Sequence, residues 1–118
     1  MNKKNKQSPS FVLADQEEIE YADKGITRQF LGYGPDLMAV KVFFEEGAEG
    51  YQHQHPHTQV SYVESGEFEA TINGKTQLLK AGDSFYVAPN EMHGAVCKKA
   101  GVLIDIFNPH REDFLEQD

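Results

Sequence analysis

The chain has little from which a disulfide, a membrane span or a nucleic-acid surface could be built. Cys97 is its only cysteine, which excludes an internal disulfide and fits a reducing compartment, so a cytoplasmic location is expected. The longest apolar runs, such as Phe11–Ala14 and Leu37–Val40, fall far short of the roughly 20 residues that span a bilayer as a helix. Positive charge is scarce. Eleven Lys and Arg against 19 Asp and Glu leave a net charge of −8, and so acidic a chain repels a phosphate backbone. Neither membrane nor nucleic acid is an expected partner. The same field opposes small anions, so binding an acid would require a metal ion or a placed Arg. The basic start, MNKKNKQSPS, lacks the apolar segment of about 7 to 15 residues that a signal peptide carries. Residues 1–10 are therefore expected to form a flexible tail ahead of one domain over 11–118, since 118 residues suffice for one core and not two.

A sustained helical period is missing too: no stretch keeps one over three turns, and short apolar or alternating bursts sit between turn residues. The pattern predicts strands at 27–31, 37–44, 60–64, 67–72, 76–79, 84–88, 94–97 and 102–107. Asn73-Gly74 separates two of them with the residue pair that a type I′ hairpin turn favours. Residues 37–44 and 102–107 are apolar at both parities, whereas a strand with one wet face alternates. Their outer face is expected to meet a second sheet or subunit, and a homodimer follows. Pro109 should end the last strand, with Glu112-Asp113 opening a short helical turn.

The densest chemistry is Tyr51-Gln52-His53-Gln54-His55-Pro56-His57-Thr58-Gln59, with three of the five histidines in five positions. If this segment is extended, His53, His55 and Gln59 share a parity and converge. His93, between a turn and another strand, is the expected further ligand. Three nitrogens and one oxygen leave open positions on an octahedral ion, as catalytic metals require. The competing reading is a solvated His-rich loop.

These residues resemble the two motifs of the cupin superfamily. Gly50 through Gly66 is similar to the first, with His53-x-His55-x-x-x-Gln59 and a closing Gly66; Gly82 through His93 is similar to the second. Ala88, Asn90 and Cys97 stand where that pattern has Pro, Gly and Asn. The resemblance implies an all-β, small single-domain cupin, a double-stranded β-helix or jelly-roll barrel, holding one divalent transition metal. Nickel, zinc, manganese and iron all suit the ligand set.

Three stretches, HQHPHTQVSYVESGEFEATING, AGDSFYVAPNEMHGAV and GVLIDIFNPHREDFL, together resemble the pectin-degradation cupins called KdgF. That resemblance implies metal binding by His53, His55, Gln59 and His93, with Gln where most enzymatic cupins have Glu. It also implies a catalytic Asp105, a catalytic and substrate-binding Arg111, and a substrate-binding Phe107. The implied reaction converts 4,5-unsaturated uronate monosaccharides, small anionic sugars from pectin or alginate breakdown, to the linear 4-deoxy-5-keto uronate. A cupin iron dioxygenase and a noncatalytic sugar-binding cupin are the alternatives.

Asp105 can also be read from its neighbours. Flanked by Val102-Leu103-Ile104 and Ile106-Phe107, its carboxylate needs a cation or donors to compensate burial. It then serves either in proton transfer or as an acceptor that orients a ligating His. Arg111 suits a substrate carboxylate by bidentate bonding, or pairs on the surface with Glu112 or Asp113. Arg28 and Lys41 could enter the cavity, and His57 is expected to be a wall residue.

Overall fold

The computed structural model describes residues 2–117, so Met1 and Asp118 lie outside the described residues. Among the described residues there are ten strands, with a long connection over 4–18 that carries a 3-10 turn at Ala14–Gln16 and shorter ones elsewhere: β1 (Asn2–Lys3), β2 (Ile19–Asp23), β3 (Ile26–Gly34), β4 (Leu37–Phe44), β5 (Glu49–His53), β6 (Thr58–Ile72), β7 (Lys75–Lys80), β8 (Ser84–Val87), β9 (His93–Asn108) and β10 (Glu116–Gln117). A single helical turn, α1 (Glu112–Leu115), follows β9 at the acidic pair, as expected. Among the described residues no helix is long and apolar enough to cross a membrane.

The organising feature is the antiparallel ladder between β6 and β9, which runs from Thr58 opposite Asn108 to Ile72 opposite His93. Each long strand serves two half-sheets. The outer half of β9 pairs with β4, with Met38 opposite Phe107 and Val42 opposite Leu103, and the matching half of β6 pairs with β8. The other halves pair with β5 and β7. The sequence pattern divides each long strand in two, at 64–67 and 97–102, where the structure has one continuous strand. The register shifts between Val63 and Phe68 mark the bend. Gly66 there has φ +81°, and a Cβ would lie 2.5 Å from the Lys99 carbonyl oxygen; a Cβ on Gly101 would fall inside the Ser65 carbonyl. Glycines that look like turn signals therefore let two strands touch at a bulge, where extra twist carries the ladder from one half-sheet to the other. The Asn73-Gly74 hairpin has positive φ at both residues, 49° and 79°, as a type I′ turn requires.

Inside, β6 alternates: Gln59, Ser61 and Val63 are buried while Val60, Tyr62 and Tyr86 on the adjoining outer face are exposed. The core has two clusters. Phe44 and Phe68 meet edge to face at 5.1 Å in one, which also holds Val63, Leu103 and Cys97. Phe30, Met38, Val40, Phe107 and Leu115 form the other, under α1. Cys97 belongs to this packing, and its thiol donates to the Lys99 carbonyl.

Within the expected tail, several described residues have backbone partners. Asn2 and Lys3 pair antiparallel with Gln117 and Glu116, Lys4 N–H donates to the Leu115 carbonyl, and Ser8 N–H donates to the Tyr33 carbonyl at 2.9 Å. Backbone donors find partners there that are remote in sequence, which no local pattern signals.

Candidate active site

A cavity of about 370 Å³ opens between the half-sheets, with His53, Gln59, His93, Asp105, Phe107 and Arg111 on its wall. The elements that build it explain the convergence. His53 ends β5 directly opposite His93, the first residue of β9. Gly94 permits that approach, because a Cβ would lie 2.5 Å from Gln52 Nε2 and 2.7 Å from the Gly50 oxygen. His55 sits in the Pro56 bend between β5 and β6, so the segment is not one extended strand. The expected residues nevertheless come to one place, His53 from the end of β5, His55 from the bend and Gln59 from β6.

His53, His55 and His93 each offer one ring nitrogen, and the three lie within 4.8 Å of one another. Each ring is held by its other side. Nδ1 of His53 bonds the Tyr51 carbonyl at 2.8 Å, that of His55 the His57 carbonyl at 3.2 Å, and that of His93 the Glu91 carbonyl at 2.9 Å. A ring whose Nδ1–H donates to a carbonyl turns the Nε2 lone pair outward, which is how ligating imidazoles are oriented. His93 Nε2 is buried with no hydrogen-bond partner among the described residues. Gln59 Oε1 lies 3.0 Å from His55 Nε2, which sets an oxygen donor beside the same nitrogens. An orphaned buried nitrogen and an adjoining amide oxygen fit a divalent ion. Burial lowers the pKa of His55, with Arg111 adding to the effect. Burial likewise lowers that of His93, so both rings stay neutral, the form that ligates.

Behind Gln59 runs a polar chain that motif spacing does not reveal. Gln59 Nε2 donates to Ser61 Oγ at 2.8 Å, and Ser61 Oγ donates to Asp105 Oδ1 at 2.6 Å. Ser61 shares the inward parity of Gln59, and the ladder sets it opposite Asp105. That alternation is the signal that could have found it. Burial raises the Asp105 carboxyl to about 6, against the opposing effects of Ser61 and Arg111.

Arg111 pairs with Asp113 and lines the cavity at the same time. Its guanidinium bonds Asp113 bidentately, at 3.1 and 2.9 Å, while it lines the cavity. The guanidinium carbon stands 4.2 Å from the Phe114 ring centroid, and that of Arg28 stands 4.1 Å from the same centroid. Phe114, unmarked in the sequence pattern, thus carries two cavity cations. Glu20 anchors Arg28 at 2.8 Å. Lys41 instead pairs with Glu64 at 3.5 Å and is not among the cavity-lining residues. Phe107 is 2% exposed and presents its ring edge-on to His55 at 5.9 Å, making it a wall of the site. His57 packs against the same ring at 6.4 Å.

The sequence matches the Cupin domain family over residues 40–107, which includes all four residues of the His and Gln cluster. The chain belongs to the cupin family. As a cupin it is 43% identical over 107 residues to the pectin degradation protein KdgF of Dickeya dadantii (strain 3937), covering 89% of this chain and 97% of that protein. It is similar to the solved structure of KdgF from Halomonas sp., with a TM-score of 0.87 and 39% identity over 92% of this chain and all of that one. An RmlC-like cupin from Shewanella frigidimarina NCIMB 400 superimposes with a TM-score of 0.91 and 53% identity, covering 93% of this chain and 99% of that one. Within the cupins, the chain falls in the KdgF-like group.

Proposed function

We propose that this cupin is a metal-dependent enzyme that converts 4,5-unsaturated uronate monosaccharides to the linear 4-deoxy-5-keto uronate. The observation that carries this assignment is one cavity lined by His53 and His93 of the three-histidine cluster together with Gln59, a carboxyl group raised to about 6 at Asp105, and the guanidinium of Arg111. The 43% identity to a pectin degradation protein supplies the substrate class.

His53, His55, Gln59 and His93 would hold the metal. A bound divalent ion supplies Lewis acidity at substrate oxygens, and neutral Gln59 leaves its charge undiminished for an anionic sugar. Arg111, with its guanidinium fixed by Asp113, is suited to the substrate carboxylate. Phe107 walls the ring. The isomerisation conserves protons: ring opening removes one from the anomeric hydroxyl, and carbon 4 gains one as the 5-keto group forms. One carboxyl group can therefore serve both steps, with Asp105 accepting the first proton and donating at carbon 4. A pKa near the working pH favours such exchange. The homodimer expected from the sequence is part of the same proposal, and sedimentation in solution checks it.

The direct test follows loss of the unsaturated uronate's ultraviolet absorbance with metal-loaded protein. Turnover is expected. Its absence across unsaturated uronates from both pectin and alginate would overturn the assignment.

A further inference from the structure

The proposed ligation by Gln59, on which this inference rests, uses the amide oxygen and leaves the amide nitrogen to be explained. Gln59 Nε2 meets Ser61 Oγ at 2.8 Å, and Ser61 Oγ meets Asp105 Oδ1 at 2.6 Å. An ionised carboxylate only accepts, so the single hydroxyl proton of Ser61 goes to Asp105. Oγ then offers only lone pairs toward Gln59, and an amide can meet it only with N–H. Ser61 is fully buried, which leaves water no access to Oγ. The carboxylate at one end of the chain thereby sets which amide atom faces His55 at the other. We propose that Ser61 is a positioning residue that transmits the carboxylate character of Asp105 to the orientation of the Gln59 amide, so that positions 59 and 105 form a matched amide and carboxylate pair.

The consequence is directional. With Gln59→Glu alone, two carboxylates compete for one hydroxyl proton and one of them loses its donor. With Gln59→Glu and Asp105→Asn together, the chain reverses: the new amide donates to Oγ, and Oγ donates to the new carboxylate. Metal affinity at position 59 should therefore depend on position 105, and the dependence should require the hydroxyl.

The experiment measures zinc affinity by chelator competition at pH 8 for the full chain, for Gln59→Glu, for Asp105→Asn and for the pair, then for the same four with Ser61→Ala added. Gln59→Glu is expected to improve zinc affinity at least about tenfold more when Asp105→Asn is present than when it is not. With Ser61→Ala added, that difference should fall below about threefold. Equal coupling with and without the hydroxyl would mean that the two carboxylates repel each other directly, and it would overturn the proposal, as would no coupling in either set. Ser61→Ala by itself should weaken zinc binding about tenfold, and unchanged affinity would also overturn the proposal, even if Gln59→Glu fails to fold. The underlying ligation fails in a distinct way: His55→Ala and His93→Ala abolish zinc binding while no change at 59, including Gln59→Leu, alters it.

Discussion

Ser61 and Asp105 stand opposite each other on neighbouring strands, and the serine hydroxyl donates to the carboxylate over 2.6 Å. That one bond does not offset burial, which raises the Asp105 carboxyl from its ordinary 3.8 to about 6. The folded chain thus holds this proton more tightly than the unfolded chain does. The resulting stabilisation is fully present below about pH 4 and is lost as pH rises through 6. Above that, an ionised Asp105 costs the metal-free protein on the order of 2 to 3 kcal/mol. Asp105→Asn keeps an acceptor for Ser61 and removes the charge. Urea unfolding in the presence of a chelator should show the variant more stable than wild type at pH 8 and no different at pH 4. A gain of equal size at both pH values would place its origin elsewhere.

The same substitution separates proton transfer from metal orientation. Asn fills the space of Asp105 but cannot carry its proton, and loss of general acid–base catalysis costs about 10² to 10⁴ in rate. If Asp105 only oriented the metal ligands, the variant would bind metal roughly 10- to 100-fold more weakly and saturating metal would restore turnover. Rates at verified full occupancy decide. A rate near that of wild type under those conditions would remove Asp105 from the chemistry.

Gly94 ties the fold to the site. A Cβ there meets Gln52 Nε2 and the Gly50 oxygen at 2.5 and 2.7 Å, so Gly94→Ala should push β5 from β9 and separate His53 from His93. Overpacking of this kind costs about 1 to 3 kcal/mol. Metal affinity should fall further than the stability of the metal-free chain explains, which chelator competition alongside thermal unfolding measures. Wild-type affinity in a destabilised variant would show that the approach of the two strands does not set the site.

Legibility in the sequence followed the range of the interactions. The Asn73-Gly74 turn was readable because its two φ angles are properties of those residues. His53, His55 and Gln59 were readable because they are dense within seven residues, although a bend rather than one extended strand brings them together. Ser61 obeys the same alternation as Gln59, but a serine on a strand has many ordinary roles, and its partner is 44 positions away. The two long strands were divided at Gly66 and around Lys98–Gly101 because the close approach that demands glycine there comes from the facing strand. The pairing of β1 with β10 and the placement of Phe114 between Arg28 and Arg111 are likewise contacts between distant segments. β2 and β5 carry mostly exposed residues, so no buried face marked them.

The histidine set should release its metal on acidification, at a pH set by the protein. Imidazole ligates only when neutral, and an unperturbed ring protonates near pH 6.5. His55 and His93 are shifted below that, chiefly by burial. Retention should therefore extend below the pH at which an unperturbed ring protonates before protons compete the ion away. The metal-free protein should respond in the same direction. Its unfolded chain binds these protons more readily than the folded chain does, so the stabilisation from the two neutral rings is present above about pH 6.5 and lost as pH falls through the lower folded values. Elemental analysis after dialysis across pH 7.5 to 4.5 reads the release, with His55→Ala and His93→Ala, confirmed as folded by circular dichroism, setting the metal-free baseline. Metal content in those variants equal to wild type would show that the ion is held elsewhere, and retention unchanged down to pH 4.5 would exclude imidazole ligation as the source of the affinity.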